Sequence, residues 1–216
     1  MNAVSSVVKN FFQTQRLAFL LLIAVSYGVT ADGVTLPQNC TESCVTPYGE
    51  VLGMTADGVT SYSNCQAKCV VFDPNQLDGT YTGIKWQCVE FARRWLIQNR
   101  GLTFGDVDVA ADIWALKSLM RLSDQSAMPV KAFENGAKER PQRGDLLVYG
   151  REFLGTGHAA IVLSVDYRKG IVRVAEQNFK NQKWPEQYAR MIPLIRKNGR
   201  YWLLDAYLLG WMRTPN

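Results

Sequence analysis

The sequence has little surplus of charge of either sign. Its 216 residues include 24 lysines and arginines against 19 aspartates and glutamates, a formal net charge of +5. A surplus that small does not support nucleic acid binding, and a solvated, mildly basic surface accounts for it. Low-complexity and fibrous repeats are also lacking. With 47% hydrophobic and 20% charged residues, the composition is typical of one globular domain with a sizeable core.

Long hydrophobic runs are scarce as well. The apolar run at residues 17–25 is too short for a comfortable membrane span, which needs about 20 residues. It follows a leader with Lys9 and Arg16 and no acidic residue, and small residues lie shortly after it, at 29–31. This pattern predicts a cleaved secretory signal at residues 1–31, with an uncleaved anchor as the alternative. In both cases we expect the folded part outside the cytosol (secreted, periplasmic or luminal), with membrane contact only if the signal stays attached.

Residues 30–70 contain an internal duplication with an offset of 25. Segment 30–35 recurs at 55–60, and Asn39-Cys40 with Cys44 recurs as Asn64-Cys65 with Cys69. Asp-Gly between apolar residues is a hairpin-turn signal, so each copy is predicted to form a short β-turn unit. We interpret residues 32–70 as a cysteine-rich segment whose second copy merges into a domain at residues 46–216.

The chain has only five cysteines, and four of them lie in the duplication. In an oxidising compartment Cys40, Cys44, Cys65 and Cys69 would form two disulfides, in one of three connectivities that the sequence does not distinguish. The alternative is a four-thiolate zinc site, although Cys-x3-Cys is a less usual spacing than Cys-x2-Cys. The disulfide interpretation leaves Cys88 unpaired, and we expect neither a metal nor another cofactor.

Cys88 opens an amphipathic pattern. Val89, Ala92 and Leu96 recur at helical spacing, and the pattern stops near residues 99–101. In the first turn of a helix, unpaired backbone N–H groups and the helix dipole favour a thiolate over a thiol. Cys88 is therefore a candidate nucleophile; the alternative is a small buried apolar residue.

The remaining pattern predicts helices first and strands afterwards. Residues 70–81 and 129–143 have loop composition, and residues 108–122 predict a second helix that begins at Asp106 or Asp108. The apolar face of that helix would consist of Ile113, Leu116, Leu119 and Met120. Strands are predicted at 145–149, 158–165, 171–176 and, as one strand or a pair, at 203–212. The sequence thus predicts an α+β fold, with the Cys88 helix packed on an antiparallel sheet.

His158 is the only histidine in the chain. It begins one strand of the hairpin that turns near residues 168–170, and Glu176 ends the other, so the two should lie side by side. A carboxylate next to a histidine holds the ring in one tautomer while the other ring nitrogen takes a thiol proton. The alternative is a lone histidine whose ring nitrogens form hydrogen bonds with a turn.

Three segments carry a resemblance to a known family. Residues 83–94 (GIKWQCVEFARR), 156–161 (TGHAAI) and 173–178 (RVAEQN) resemble the CHAP family, the cysteine, histidine-dependent amidohydrolases/peptidases. The likeness is strongest to the glutathionylspermidine amidase branch, and it covers about residues 46–213.

The resemblance implies a papain-like α+β fold and roles for individual residues. Cys88 would be the nucleophile, His158 the general base and then acid, and Glu176 the residue that orients His158. The oxyanion would bind the backbone N–H of Cys88 with Gln87 as neighbouring donor, and Arg93 and Asn178 would contact substrate. For Arg93 a salt bridge on the helix surface is the alternative.

Three functions follow as hypotheses. The first is a secreted amidase or peptidase that acts on a peptide-like substrate or a polyamine conjugate. The second is a secreted hydrolase of cell-wall peptides. The third is a binding module that keeps the fold but catalyses no reaction. The presence of Cys88, His158 and Glu176 together argues against this third hypothesis.

Overall fold

The computed structural model of the chain describes residues 28–29 and 34–215. The predicted signal segment, residues 1–31, lies outside this range apart from the short strand at Gly28–Val29. Within the described residues, no helix has both the length and the apolar character that crossing a bilayer requires.

The described residues form one α-helix, two short 3-10 helices and sixteen strands. The helix α1 is Cys88–Arg100, and the 3-10 helices are Gln38–Cys40 and Ala110–Ala115. The strands are β1 Gly28–Val29, β2 Thr35–Leu36, β3 Val51–Met54, β4 Thr60–Tyr62, β5 Pro74–Leu77, β6 Thr80–Ile84, β7 Leu102–Thr103, β8 Ser118–Arg121, β9 Ala127–Pro129, β10 Lys131–Glu134, β11 Leu146–Tyr149, β12 His158–Asp166, β13 Ile171–Ala175, β14 Arg190–Lys197, β15 Arg200–Leu203 and β16 Leu208–Arg213.

Seven antiparallel strands form the main sheet, in the order β10-β16-β11-β12-β13-β14-β15. The sheet curls until its two edges meet, because Gly136 N–H donates to Tyr201 O and Tyr201 N–H donates to Ala137 O, both at 2.8 Å. With one principal helix and an antiparallel sheet, the predicted α+β class is confirmed.

Both faces of this sheet are buried at β11 and at the first half of β12. On β11, Leu147 and Tyr149 point into the core inside the curl, together with Trp211. Leu146 and Val148 point to the opposite face, where they join the core that α1 covers. Alternate residues of one strand therefore belong to two different cores, as the pleat requires.

Helix α1 forms where the apolar spacing predicted it. Phe91, Trp95 and Leu96 are almost completely buried and pack on the sheet, where each contributes roughly 1.5–3 kcal/mol of stability. The helix ends at Gly101, whose left-handed conformation (φ 60°) lets its N–H bond back to the last turn. Packing and termination together place Cys88 at the first position of the helix.

The predicted helix at 108–122 is wrong. The structure has a 3-10 helix at Ala110–Ala115 followed by strand β8, which pairs with β7 and β9. Ile113 and Leu119 are buried, but Met120 next to Leu119 is exposed, which is the alternation of a strand. Backbone pairing on both sides of β8 outweighs a weak helical periodicity in this segment.

Two segments predicted as loops contain strands. Residues 70–81 include β5 and the first two residues of β6, and the two strands are joined by a turn at Asp78-Gly79. Residues 129–143 include β10, an edge strand of the main sheet that pairs with β16. At 203–212 the sequence predicted one closing strand or a pair. The structure has β15 and β16, which are not neighbours in the sheet.

The four cysteines of the duplication form two disulfides, as predicted, with the connectivity Cys40–Cys69 and Cys44–Cys65. They stabilise a small core that also contains Leu36 and Val71. In the second copy, the predicted turn is closed by Thr55 and Val59 between β3 and β4. The turn residues of the first copy lie outside the described residues, between β1 and β2.

Candidate active site

Cys88 is the first residue of α1, directly after the N-cap residue Gln87. Its side chain is buried and its sulfur is free, since the other four cysteines are paired with one another. Gln87 has extended backbone angles (φ −82°, ψ 158°), so the chain enters the helix at this point. The sulfur therefore lies in the first turn, where backbone N–H groups stabilise a negative charge.

His158 and Glu176 come together through the β12–β13 hairpin. Strand β12 carries a bulge between Val162 and Ser164. On the His158 side of this bulge, Ile161 pairs with Ala175. In this register Glu176 lies diagonally across from His158 on the same face of the sheet. The His158 Nε2 and Glu176 Oε2 atoms are 3.0 Å apart, and both side chains are buried.

The other ring nitrogen of His158, Nδ1, is left for Cys88, whose side chain lies close enough to His158 to interact with it. Burial alone would raise the pKa of the Cys88 thiol. The hydrogen bond and positive charge of His158, with the backbone N–H groups of Ala159 and Val89, outweigh burial and lower this pKa below its ordinary value. The three side chains that the sequence singled out thus lie next to one another, with His158 between Cys88 and Glu176.

The protonation of His158 is stabilised from both sides. Burial favours the neutral ring, but the Cys88 thiolate and then Glu176 favour the imidazolium, and they raise the pKa of His158 to about 9. For Glu176, burial raises the pKa of the carboxyl, while His158 and Arg190 lower it below the ordinary value. The directions of these shifts favour a thiolate and an imidazolium beside an ionised glutamate.

A second layer behind Glu176 was not predicted from the sequence. Arg190 Nε donates to Glu176 Oε1 at 2.6 Å and its Nη2 donates to Oε2 at 3.2 Å. Arg190 also binds Asp205 at 2.6 Å and the hydroxyl of Tyr149 at 3.0 Å, and that hydroxyl donates to Asp205 at 2.7 Å. No spacing in the sequence links these residues, because they lie on three separate strands or loops.

Aromatic rings surround the imidazole. The ring centroids of Tyr149, Phe153 and Phe179 lie 5.4, 5.7 and 5.5 Å from that of His158. The guanidinium of Arg190 lies over Phe179 at 4.8 Å. These rings limit the motion of His158 and exclude water from it, so the ring keeps its orientation between Cys88 and Glu176.

Gln87 and Asn178, the predicted oxyanion and substrate residues, contact each other. Asn178 Nδ2 donates to Gln87 Oε1 at 2.6 Å. Gln87 Nε2 donates to Cys69 O at 3.1 Å and to Asn64 Oδ1 at 3.4 Å. Both amide hydrogens of Gln87 therefore have acceptors already, which argues against its side chain as an oxyanion donor.

Arg93, predicted to contact substrate, is almost completely buried on the other side of the helix from solvent. Its guanidinium donates to three backbone oxygens, those of Thr82 (2.7 Å), Phe104 (3.0 Å) and Gly105 (2.9 Å). With its donors bound to the chain itself, Arg93 ties α1 to its neighbours rather than presenting a charge to a ligand. Arg93 Nη2 also lies 3.9 Å from Oδ1 of the exposed Asp106, so the alternative of a salt bridge describes part of this placement.

Metal ligands do not converge in the described part of the chain. No group of three or more histidine, cysteine, aspartate or glutamate side chains there could hold an ion. The alternative of a zinc site at Cys40, Cys44, Cys65 and Cys69 is replaced by the two disulfides, since a disulfide sulfur is not a thiolate ligand.

Comparison with known proteins gives matches for the part of the chain that holds this site. Residues 79–178 match the CHAP domain family. The chain is 41% identical to the bifunctional glutathionylspermidine synthetase/amidase of Escherichia coli (strain K12) over 144 residues, 63% of this chain and 23% of that protein. It is 32% identical to trypanothione synthetase of Crithidia fasciculata over 195 residues, 86% of this chain and 29% of that protein. The chain thus spans less than a third of the length of either relative.

Proposed function

We propose that this chain, whose residues 79–178 match the CHAP domain family, is a cysteine-dependent amidohydrolase that cleaves an amide bond through Cys88, His158 and Glu176. The observation that carries the proposal is that a free sulfur and a buried carboxylate both lie next to the single histidine. We also propose that the helix and sheet correspond to the papain-like arrangement that the sequence resemblance implied.

In the first half of the reaction, the Cys88 thiolate attacks the carbonyl carbon of the amide. The carbonyl oxygen becomes an oxyanion, and the backbone N–H of Cys88 at the start of α1 donates a hydrogen bond to it. The imidazolium of His158 then gives its proton to the departing nitrogen, and the carbon–nitrogen bond breaks. The free amine leaves, and the acyl group remains on the sulfur as a thioester.

In the second half, water attacks the thioester. Neutral His158 takes one proton from that water, and the carbon–sulfur bond breaks to give a carboxylic acid and the Cys88 thiolate, so the imidazolium and thiolate return together. The acid then loses its proton to solvent. Glu176 stays ionised throughout and stabilises the imidazolium, because Arg190 and His158 both bind its carboxylate.

The substrate class follows from the relatives. One of them is named a bifunctional glutathionylspermidine synthetase/amidase, and this chain is 41% identical to it over 144 residues. We therefore propose a peptide-like amide conjugate of a polyamine as substrate. The two disulfides and the predicted signal support an oxidising compartment outside the cytosol as the place of action.

The proposal is tested with the protein and its Cys88→Ala variant, each incubated with glutathionylspermidine and, separately, with peptidoglycan. We expect the wild type to release spermidine from the conjugate and the variant to release none, because alanine has no nucleophile. A matched control is Arg121→Gln, because Arg121 is half-buried, pairs with the exposed Asp124 and is distant in the sequence from Cys88, His158 and Glu176. Loss of this ion pair should not change amine release. Release of amine by Cys88→Ala, or amine release from peptidoglycan alone, would contradict the proposal as stated.

A further inference from the structure

The disulfide-linked segment, residues 40–69, reaches the site through one buried side chain. Asn64 is completely buried, and it precedes Cys65, which is bonded to Cys44. Its Nδ2 donates to the backbone oxygen of Cys69 at 2.6 Å, and Cys69 is bonded to Cys40. One disulfide therefore ends at Cys65, next to Asn64, and the other ends at Cys69, whose backbone oxygen accepts from the Asn64 amide.

Asn64, Gln87 and Asn178 form a closed ring of three side-chain amides, which we call the amide ring. Asn64 Nδ2 donates to Asn178 Oδ1 at 2.9 Å, Asn178 Nδ2 donates to Gln87 Oε1 at 2.6 Å, and Gln87 Nε2 donates back to Asn64 Oδ1 at 3.4 Å. Gln87 Nε2 also donates to Cys69 O at 3.1 Å. Since each amide both donates and accepts, the three side chains hold one another in place.

The amide ring joins the two chain segments that carry the reacting groups. Gln87 is the residue before Cys88, and Asn178 lies two residues after Glu176. The backbone of Asn178 is left-handed (φ 56°), a conformation that needs support from its surroundings. Asn64 is the one member of the amide ring that belongs to neither catalytic segment, so it can act as the external support for both.

We propose that Asn64 is a positioning residue for the amidase reaction: through the amide ring it fixes Gln87 and Asn178, and the disulfide-linked segment fixes Asn64. The inference rests on the proposed function. Asn64 would not touch the reacting atoms. Its effect is to keep the start of α1, and hence the sulfur and the backbone N–H of Cys88, in register with the segment that carries Glu176.

The duplication offers a matched control. Asn39 is the counterpart of Asn64 in the first copy, at the offset of 25, and it also precedes a cysteine. Asn39 is exposed, and its Nδ2 donates to Lys68 O at 3.4 Å, outside the amide ring. Substitution of either asparagine removes the same amide from a position beside a disulfide, but only Asn64 is linked to the site.

The test compares Asn64→Ala and Asn39→Ala for hydrolysis of glutathionylspermidine, at a temperature where thermal unfolding shows both variants folded. We expect Asn64→Ala to lower kcat by about 10- to 100-fold, which corresponds to about 1.4–2.7 kcal/mol of transition-state stabilisation. KM should change less than kcat, and Asn39→Ala should match the wild type. A kcat for Asn64→Ala within twofold of wild type, or an equal loss in Asn39→Ala, overturns the inference.

A second measurement needs no substrate and keeps this inference separate from the proposed function. The rate of Cys88 alkylation by iodoacetamide at pH 6 reports how well the thiolate is held at the start of α1. We expect the rate to fall at least threefold in Asn64→Ala and in Cys40→Ser/Cys69→Ser, and to stay unchanged in Asn39→Ala. Rapid alkylation of a wild type that releases no spermidine would overturn the proposed function alone. Equal alkylation rates in the two asparagine variants would overturn the role of Asn64.

Discussion

Replacing Arg190 with glutamine should make the reactivity of Cys88 more sensitive to acid. Arg190 holds the carboxylate of Glu176 through two hydrogen bonds, on the side opposite to His158. Glutamine keeps a polar side chain but lacks the charge, so Glu176 keeps one cationic partner, His158. The pKa of Glu176 should therefore rise, because burial then acts against a carboxylate with less compensation.

The size of the effect follows from the contacts that are lost. A hydrogen bond to a charged group contributes roughly 1.5–3 kcal/mol, and one pKa unit corresponds to about 1.4 kcal/mol. Loss of these hydrogen bonds should therefore raise the pKa of Glu176. Because the pKa of Glu176 is lowered in the folded wild type, its carboxylate stabilises the fold at pH values above the pKa of the unfolded state. This stability is lost as the pH falls through the pKa of the folded state. In Arg190→Gln that loss begins at a higher pH.

The assay is the second-order rate of Cys88 alkylation by iodoacetamide from pH 4 to pH 9. As Glu176 gains a proton, the imidazolium of His158 loses its anionic partner and the Cys88 thiolate loses its cation. We expect the acid limb of the profile to move to higher pH by about one unit in Arg190→Gln, and by less in Arg190→Lys, which keeps the charge but not the planar fork.

Arg213→Gln is the matched control for this prediction. Arg213 binds the buried carboxylate of Asp145 through two hydrogen bonds, at 2.9 and 2.8 Å, away from the site. Loss of either arginine should destabilise the fold by roughly 2–4 kcal/mol in urea unfolding, but only Arg190→Gln should change the profile. Coincident acid limbs in wild type and Arg190→Gln, or equal shifts in both variants, would refute the reasoning.

Two further predictions concern pH and packing. Because the pKa of His158 is raised to about 9, amide hydrolysis should fall as the pH rises through about 9, and a pH–rate profile that stays flat to pH 10 would contradict this. The charge of His158 should stabilise the fold fully below about pH 6.5, and this stability should be lost as the pH rises from there through about 9. Gly83→Ala should destabilise the fold by roughly 2–4 kcal/mol in urea unfolding, since its Cβ would lie 2.9 Å from Glu90 Cα at φ +142°. Gly79→Ala, at φ +77° in open space, should cost about 1 kcal/mol, and equal losses in the two variants would contradict the packing argument.

Local patterns in the sequence predicted the elements that carry the site. The helical spacing after Cys88 and the alternating strands around His158 and Glu176 each lie within one contiguous segment, so periodicity and turn residues were enough to place them. The pairing of the other four cysteines also followed from their grouping, although the connectivity did not. These features depend on neighbours in the sequence more than on the rest of the fold.

The parts that could not be predicted depend on contacts between distant segments. Arg190 and Asn64 are ordinary polar residues in the sequence, and their importance comes from Glu176 and Gln87, which reach them through the fold. Arg93 looked available to a ligand because its carbonyl partners, such as Phe104 O, are backbone atoms that no sequence pattern marks. Strand β8 was predicted as helix because pairing with β7 and β9 is not visible in its own residues.

The enclosure of the single imidazole by three aromatic rings has a practical consequence for spectroscopy. Ring currents from Tyr149, Phe153 and Phe179 should displace the imidazole proton resonances of His158 from their usual positions in an NMR spectrum. Since the sequence contains no other histidine, these signals need no assignment. The protonation of the proposed general base can thus be followed directly in the unmodified protein.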